Sequence, residues 1–259
     1  MNKTALITGA TSGIGYELAY IHAKQGGNLV LVARSKDKLE LIKQDLEDKY
    51  KINAYIIAKD LSIKDSPKDV YDEVIKNNMT VDYLINNAGF GIFAFFSDND
   101  WTKVEQMITL NITALTHLTN LFVKDMIKRG NGKIMNVAST AAFQPGPTMA
   151  VYYASKAYVL SFSEAISNEL KNTGVTVTTL CPGPTSSGFQ EAASMNESRL
   201  VKGRILATSK AVADYGYNAM LKGKSVAIYG ILNYLVANSV RFFPRSAVLK
   251  MTRFIQDKR

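Results

Sequence analysis

Tyr152 and Lys156 stand four residues apart in the stretch Val151-Tyr-Tyr-Ala-Ser-Lys-Ala157, and Ser139 lies thirteen positions upstream of the tyrosine. On a helix, residues i and i+4 share one face, so the phenol and the ammonium group would point into the same cleft. A neighbouring cation favours the charged form of a tyrosine, whose unperturbed pKa is about 10. The pair is therefore a candidate proton donor and acceptor near neutral pH.

The spacing by itself carries little information, because the chain has 13 tyrosines and three tyrosine–lysine pairs with this separation. The other two pairs are Tyr20 with Lys24 and Tyr55 with Lys59. Neither has further chemically active residues at matching positions, so we assign both to ordinary structure. The pair at Tyr152 depends on the elements that surround it.

Short apolar runs alternate along the chain with amphipathic stretches of ten or more residues. Most runs are continuously apolar, as expected for parallel strands covered on both faces. The alternation predicts one α/β domain with a parallel sheet of right-handed βαβ units. The predicted strands are Thr4–Thr8, Asn28–Ala33, Ala54–Ala58, Tyr83–Asn86, Lys133–Val137, Thr176–Leu180 and Ser225–Ile228, and the predicted helices are about 13–25, 36–49, 66–78, 101–129, 151–172 and 209–222.

Composition restricts the class of protein. A chain of 259 residues with 47% apolar content fits a single large domain. The single Cys181 excludes an internal disulfide, and with only two histidines no metal site is expected. The first residues pass directly into a strand pattern without a signal-peptide layout, and no apolar run reaches about 18 residues. A cytoplasmic protein is expected.

The net charge of +9 is concentrated at one end of the chain. The segment 241–259 has six basic residues and one acid, Asp257, which amounts to +5. Upstream the charges are mixed and no basic patch is interleaved with aromatic residues, so nucleic acid is not an expected partner.

A glycine-rich turn, Thr8-Gly-Ala-Thr-Ser-Gly-Ile-Gly15, follows the first predicted strand and opens the first predicted helix. Gly9 permits a tight turn, Gly13 allows the backbone to approach a pyrophosphate, and Gly15 allows close helix–strand packing. The helix N-terminus, with Thr11, Ser12 and Ile14, would face the phosphates. The alternative is an ordinary turn, but three glycines in this context favour a dinucleotide site.

The end of the second predicted strand distinguishes between dinucleotides. An acidic residue there would bind the ribose 2′-hydroxyl of NAD, whereas this chain has Ala33 and Arg34. Arg34, with Ser35 and Lys38, could pair with a 2′-phosphate, although a solvated arginine is the alternative. The sequence favours NADP(H) over NAD(H). Asp60 and Leu61, which end the third strand, would lie near the adenine.

Together these motifs resemble the short-chain dehydrogenase/reductase family over residues 3 to about 230. The resemblance implies a Rossmann-type doubly wound fold, a single domain with a seven-stranded parallel sheet and helices on both faces. The motifs occur in the family's order, and their joint spacing is specific: Thr8-Gly9-x-x-x-Gly13-x-Gly15, Asn86-Asn-Ala-Gly89, Asn111, Ser139, Tyr152-x-x-x-Lys156, and Pro182-Gly183 with Thr185 and Ser187. Ser187 stands where the family often has threonine.

By this resemblance Tyr152 is the general acid in carbonyl reduction and the base in the reverse direction. Lys156 would lower the pKa of Tyr152 and bind the nicotinamide ribose, and Ser139 would polarise the substrate oxygen. Asn111 would hold a water that links Lys156 to solvent; the alternatives are a surface amide for Asn111 and a strand-end hydroxyl for Ser139. The remaining cofactor contacts would come from Asn87, Ala88, Gly89, Pro182, Gly183, Thr185 and Ser187.

The expected activity is reduction of a ketone or aldehyde to an alcohol, or the reverse, with a small-molecule substrate. Aromatic residues near the expected cleft would suit an apolar substrate, although such clusters equally serve core packing: Phe90, Phe93, Phe95, Phe96, Phe143 and Phe189, with Gln144. A membrane-associated reductase of lipid or fatty-acyl carbonyls is one alternative. A non-catalytic dinucleotide sensor is another, but such proteins commonly lose the Tyr or Lys that this chain keeps.

Two segments lie outside the regular pattern. The stretch of about 184–208 is too long for an ordinary connection and is expected to be a substrate loop within a catalytic unit of residues 1–230. In the tail, residues 231–259, Val248, Met251, Phe254 and Ile255 follow helical spacing, with Lys250, Arg253 and Asp257 on another face. Packing of this tail on its own domain or on another subunit is favoured over contact with an anionic membrane. A homodimer or homotetramer is expected by analogy.

Overall fold

The computed structural model describes residues 3–189, 193 and 206–256. The strands of the described residues are β1 (Thr4–Thr8), β2 (Asn28–Ala33), β3 (Ala54–Ala58), β4 (Tyr83–Asn86), β5 (Gly132–Val137), β6 (Val175–Cys181), β7 (Thr185–Ser186), β8 (Ala207–Thr208) and β9 (Val226–Ile228). Seven of them form a parallel sheet in the order β3-β2-β1-β4-β5-β6-β9, with helices on both faces, which confirms the predicted fold. A second, two-stranded sheet pairs β7 with β8.

The sheet is covered by helices whose apolar faces belong to two cores. Leu18, Leu39 and Tyr217 lie in one core, and Val70 and Phe122 lie in the other. The helices of the described residues are α1 (Gly13–Lys24), α2 (Lys36–Tyr50), α3 (Ser66–Lys76), α4 (Trp101–Ile108), α5 (Leu115–Arg129), α6 (Ala150–Glu169), α7 (Ser209–Leu221), α8 (Ile231–Ser239) and α9 (Arg245–Gln256).

The central strands are apolar on both faces over most of their length, because each face of the sheet packs on helices. Successive side chains of a strand point to opposite faces. Leu6 of β1 accordingly lies in one core and Ile7 in the other, and Val30 and Leu31 of β2 divide in the same way. Each such buried side chain stabilises the fold by roughly 1.5–3 kcal/mol.

The predicted helix 101–129 is interrupted by a π-helical segment. Between α4 and α5 the backbone forms a π-helix over Thr109–Ala114, which contains the buried Asn111. Such segments are rare and frequently occur at functional sites. The helix ends at Arg129, where Gly130 adopts the left-handed conformation with φ +65°.

The strand order leaves a crevice at one edge of the sheet. From β1 the chain moves outward to β2 and β3, and then returns to β4 on the other side of β1. The connections that follow β1 and β4 therefore run away from each other at the carboxyl ends of these strands. In open parallel sheets, ligands bind in this crevice.

Candidate active site

A cavity of about 1040 Å³ opens at the carboxyl ends of the strands. Residues that follow β1 through β6 line it, and so do residues of α8 and α9. Of the predicted site residues, those in its lining are Gly9, Thr11, Ser12, Gly13, Ile14, Arg34, Ser35, Lys38, Asp60, Leu61, Asn87, Ala88, Gly89, Ser139, Tyr152, Lys156, Pro182, Gly183, Thr185 and Ser187. Gly15 and Asn111 lie behind this wall.

The glycine turn requires its glycines for two different reasons. Gly9 and Gly13 have φ values of +67° and +56°, a region that other residues rarely adopt. Gly15 has no such angle, but a Cβ there would lie 2.3 Å from the Gly9 carbonyl oxygen. The prediction that Gly15 permits helix–strand packing is therefore refined: its closest neighbours are the Gly9 carbonyl and the Asn87 side chain.

Thr8 and Asn87 fasten the turn after β1 to the turn after β4. The Thr8 hydroxyl accepts hydrogen bonds from the backbone N–H groups of Asn87 and Ala88, both at 3.0 Å. The Asn87 amide in turn donates to the carbonyl oxygens of Thr8 and Gly9 at 3.0 and 3.2 Å. This reciprocal pairing fixes the two sides of the crevice relative to each other.

Basic side chains gather at the end of the cavity near β2 and β3. Arg34 and Lys38 are exposed there, and Lys59 joins them in the lining. Lys59 is paired with Asp69 at 3.1 Å, whereas Arg34 and Lys38 form no ion pair within the described part of the chain. Arg34 and Lys38 were predicted from the sequence as cofactor-binding residues, but Lys59 was not. Its position directly after β3 could have indicated that it lies at the same edge of the sheet.

Tyr152 and Lys156 lie in the first turns of α6 and are both buried. The lysine nitrogen is 5.8 Å from the centre of the Tyr152 ring and donates a hydrogen bond to the Val137 carbonyl oxygen at 2.9 Å. Ser139 follows β5, where its hydroxyl accepts a hydrogen bond from the Ala141 N–H at 3.1 Å. The same hydroxyl donates a hydrogen bond to the Pro182 carbonyl oxygen at 3.4 Å, and it lies near enough to the Tyr152 phenol to lower the pKa of that phenol. The three side chains thus meet on one wall of the cavity.

Burial is the largest cause of the pKa shifts of Tyr152 and Lys156 on this wall. Desolvation raises the pKa of Tyr152 well above its usual value, against a smaller opposing effect of the Ser139 hydroxyl. Desolvation also lowers the pKa of Lys156 to about 8. The expected lowering of the Tyr152 pKa by Lys156 is thus opposed by burial, so the phenol is held in its protonated, proton-donating form.

Asn111 is held by the backbone of the segment after β4. Its Nδ2 donates to the Phe90 carbonyl oxygen at 2.9 Å and to the Ser155 hydroxyl at 3.1 Å, and its Oδ1 accepts from the Phe90 N–H at 3.2 Å. The alternative of a surface amide is excluded by its burial. A Cβ at Gly89 would lie 2.9 Å from this Oδ1 and 3.4 Å from the Lys156 nitrogen, so the missing side chain there leaves room for both groups.

The cavity is apolar next to Tyr152, where the sequence predicted the substrate. The centre of the Tyr152 ring is 5.3 Å from the centre of the Phe189 ring. Met149, Phe90 and Phe93 belong to the same hydrophobic cluster as these two rings. Phe95 and Phe96 of the predicted aromatic group are instead exposed. Gln144 lines the cavity, and Phe143 packs in a neighbouring core. Of the predicted substrate loop, residues 190–192 and 194–205 lie outside the described residues.

One wall of the cavity comes from α8 and α9, whose packing was favoured from the sequence but whose individual site residues were not predicted. Asn233 lies over Gly183, where a Cβ would come within 2.5 Å of its Nδ2, and the buried Gln256 lies beside Tyr153. Burial raises the pKa of Tyr153 to about 12, with Gln256 acting in the opposite direction. A polar Asn233 within an apolar run was the one signal available in the sequence.

The tyrosines of the two other tyrosine–lysine pairs make hydrogen bonds between secondary-structure elements. The Tyr20 hydroxyl donates to Asp45 and the Tyr55 hydroxyl donates to Glu73, both on neighbouring helices. Neither tyrosine lines the cavity.

Among residues 3–189, 193 and 206–256, no helix combines the length and apolar character needed to cross a bilayer.

Comparison with known proteins decides the family. The family model described as short chain dehydrogenase matches residues 3–198. The chain belongs to the short-chain dehydrogenase family. It is therefore an oxidoreductase of a family that acts on alcohol and carbonyl groups of small molecules with a nicotinamide dinucleotide.

Individual proteins resemble the chain over most of its length. An uncharacterised oxidoreductase of Staphylococcus epidermidis is 31% identical over 79% of this chain and 87% of its own. The very-long-chain 3-oxoacyl-CoA reductase of Bos taurus is 32% identical over 70% of this chain, which spans 59% of that protein. A short-chain dehydrogenase from Sphingobium yanoikuyae, solved in complex with NADPH, aligns with a TM-score of 0.81 at 28% identity, covering 93% of this chain and 94% of its own.

Proposed function

We propose that the chain is an NADP(H)-dependent reductase of apolar ketones or aldehydes, with Tyr152 as the general acid. One observation carries the proposal: Tyr152, Ser139 and Lys156 share a single continuous cavity with Arg34 and Lys38. A dinucleotide that places its phosphates near Gly13 would extend from the basic end to the tyrosine. Its bound nicotinamide supplies the hydride that the carbonyl carbon accepts.

The remaining chemistry falls to the side chains of the chain itself. Ser139 donates a hydrogen bond to the carbonyl oxygen, and Tyr152 transfers its proton to that oxygen as negative charge develops. Lys156, whose pKa is about 8, stays largely protonated at neutral pH and stabilises the resulting phenolate. Asn111 positions the segment at Phe90 that borders the reacting groups.

The preference for NADP(H) is supported by charge at the end of β2. Arg34, Ser35 and Lys38 line the cavity there, and the strand ends without an acidic residue. A 2′-phosphate would pair with the guanidinium in a charge-assisted hydrogen bond. The NADPH complex of the Sphingobium yanoikuyae relative is consistent with this choice.

A lipid-derived carbonyl compound is the second candidate substrate. What favours it is the apolar wall that Leu232, Val236, Val248 and Met251 add to the cavity. The resemblance to a very-long-chain 3-oxoacyl-CoA reductase points in the same direction.

The deciding experiment is a panel of carbonyl substrates with NADPH, in which loss of the reduced-nicotinamide absorbance is followed. The panel should pair small ketones with long-chain 3-oxoacyl thioesters and bulky aromatic ketones. We expect turnover that increases with the apolar size of the substrate. A purified, folded chain that oxidises NADPH with no member of such a panel would contradict the proposal.

A further inference from the structure

The C-terminal cap, defined as residues 231–256, has one face on the domain and another that faces outward. Ala237, Thr252 and Gln256 are buried, so the cap is packed onto the body of the protein. Asn233 over Gly183 and Gln256 beside Tyr153 place its inner side against the candidate active site. The cap is therefore a fixed part of the fold, and its outward face is a surface of the folded protein.

The outward face of α8 is apolar. Ile231 and Leu235 are 83% and 58% exposed and lie four residues apart, so they form one stripe along the helix. Phe242 and Phe243, just after α8, are 85% and 57% exposed. Contiguous exposed apolar side chains of this kind mark interaction sites in soluble proteins.

The cap is also strongly basic. It contains Arg241, Arg245, Lys250 and Arg253 and no acidic residue, a net charge of +4 within 26 positions. Arg241, Arg245 and Lys250 are exposed beside the apolar residues. Apolar side chains flanked by cations suit an anionic lipid surface, where the rings and aliphatic groups enter the headgroup boundary. A symmetric contact with a second copy would instead bring these cations together.

A second aromatic group borders the cap. The Arg253 guanidinium lies 4.9 Å from the centre of the Phe95 ring, which places the segment before α4 next to α9. Phe96 of that segment and Trp101, the first residue of α4, are both 63% exposed. Asp98 and Asp100 lie in the same segment, where they accept hydrogen bonds from the Ser97 hydroxyl and the Thr102 N–H. Aromatic residues with a polar rim are typical of a membrane interface.

The apolar face and the cavity share residues. Leu232, Val236 and Met251 line the cavity and are also 75%, 51% and 64% exposed. They therefore lie at an opening of the cavity within the apolar, basic surface. A ligand dissolved in a bilayer would meet this opening without crossing water.

We propose that the C-terminal cap binds the surface of an anionic lipid bilayer and directs the mouth of the cavity toward it. The second part of the proposal rests on the proposed reductase function: an apolar carbonyl substrate enters the cavity from the lipid side. The contact is peripheral, since the cap lies on the interface and does not span it.

Co-sedimentation with vesicles tests the surface. Vesicles of phosphatidylcholine alone are compared with vesicles that also contain phosphatidylserine, at low and high salt. We expect the protein to sediment with the anionic vesicles, to be released by salt, and to remain in solution with the neutral ones.

Two triple variants locate the contact, and none of the residues they change lines the cavity. Charge reversal by Arg241→Glu, Arg245→Glu and Lys250→Glu should weaken binding at least about tenfold. Removal of apolar contacts by Ile231→Ser, Leu235→Ser and Phe242→Ser should also weaken it. Matched controls on exposed residues elsewhere are Lys76→Glu, Lys124→Glu and Lys171→Glu for charge, and Leu41→Ser, Ile63→Ser and Ile75→Ser for apolar area. Far-UV circular dichroism checks that every variant is folded.

Several results would overturn the proposal. The assignment of the cap as a membrane-binding surface is wrong if the wild-type chain does not bind anionic vesicles. It is equally wrong if the control triple variants lose as much binding as the cap triple variants. It is also wrong if the apolar triple converts a larger species into a smaller one in size-exclusion chromatography without vesicles, because the face is then a subunit contact. Vesicle binding without any carbonyl reduction would refute the proposed function and leave the surface standing. Turnover of soluble ketones without vesicle binding would do the opposite.

Discussion

The Lys156 ammonium group donates a hydrogen bond to the Val137 carbonyl oxygen at 2.9 Å, which joins α6 to the end of β5. The contact holds a buried cation 5.8 Å from the Tyr152 ring while desolvation lowers the lysine pKa to about 8. The charge of this residue therefore changes within the range in which enzymes are commonly assayed, unlike that of an ordinary lysine.

The first prediction concerns pH. For reduction, kcat/KM should be level below about pH 8 and fall above it, because Lys156 loses the proton that stabilises the Tyr152 phenolate. The phenol itself stays protonated across this range, since burial raises its pKa. Initial rates from about pH 6 to about pH 10 measure the profile, with circular dichroism at each pH to exclude unfolding. A level profile through pH 9 in a folded enzyme would count against a catalytic Lys156.

The second prediction concerns the proton donor. Tyr152→Phe should reduce kcat roughly 10²–10⁴-fold, because the ring still packs on Phe189 but has no proton to give. Binding of NADPH, measured by fluorescence titration, should change little. Tyr158→Phe is the matched control: it lies on the same helix and outside the cavity, and its hydroxyl contacts Thr116. Similar losses in both variants would contradict the assignment.

The third prediction concerns the choice of dinucleotide. Arg34→Asp should lower kcat/KM with NADPH roughly 10–100-fold, since a charge-assisted hydrogen bond of about 1.5–3 kcal/mol is replaced by repulsion. The carboxylate should at the same time improve use of NADH by accepting the ribose hydroxyl. Lys36→Asp is the matched control, because it makes the same change in charge at an exposed residue two positions away that does not line the cavity. An unchanged ratio between the two dinucleotides would remove Arg34 from this role.

The fourth prediction concerns the contact between the cap and the turn after β6. Gly183→Ala should destabilise the fold by about 1–3 kcal/mol, because the new Cβ would lie 2.5 Å from the Asn233 Nδ2. That amide is itself held by the Tyr229 carbonyl oxygen at 2.8 Å. Adding Asn233→Ala should restore most of the loss, as measured by urea unfolding of both single variants and the double variant. Additive losses in the double variant would mean that the two residues do not press on each other.

Much of the sheet was predictable from the sequence because its strands are buried on both faces. The predicted bounds of β1, β2, β3 and β4 match those observed, since each strand is a continuous apolar run that ends at a polar or glycine-containing turn. Both β5 and β6 begin one residue earlier than predicted, where Gly132 and Val175 pair with each other, and β6 also ends one residue later, where Cys181 pairs with Ile228. Such pairing depends on a partner strand that local sequence does not reveal.

The candidate site was predictable where its residues follow strands and less so where tertiary packing decides. Twenty predicted residues share one cavity because the carboxyl ends of parallel strands meet at one edge. The partners of Asn111 could not be foreseen, because they arise from a π-helical segment that meets the backbone of Phe90. Packing of the tail was favoured from the sequence, but the side chains of α8 and α9 that reach the cavity were not named, because helical spacing does not show which of them face it.

The arrangement of the cavity wall separates two kinds of recognition along the chain. Residues 9–61 provide the glycine turn and the groups assigned to the adenine end of the dinucleotide, whereas the cap adds an apolar wall from one contiguous segment. Few buried side chains, among them Ala237, Thr252 and Gln256, tie this segment to the rest. We therefore expect that exchanging residues 231–256 for the matching segment of a relative changes which carbonyl compounds are accepted and leaves the dinucleotide preference in place.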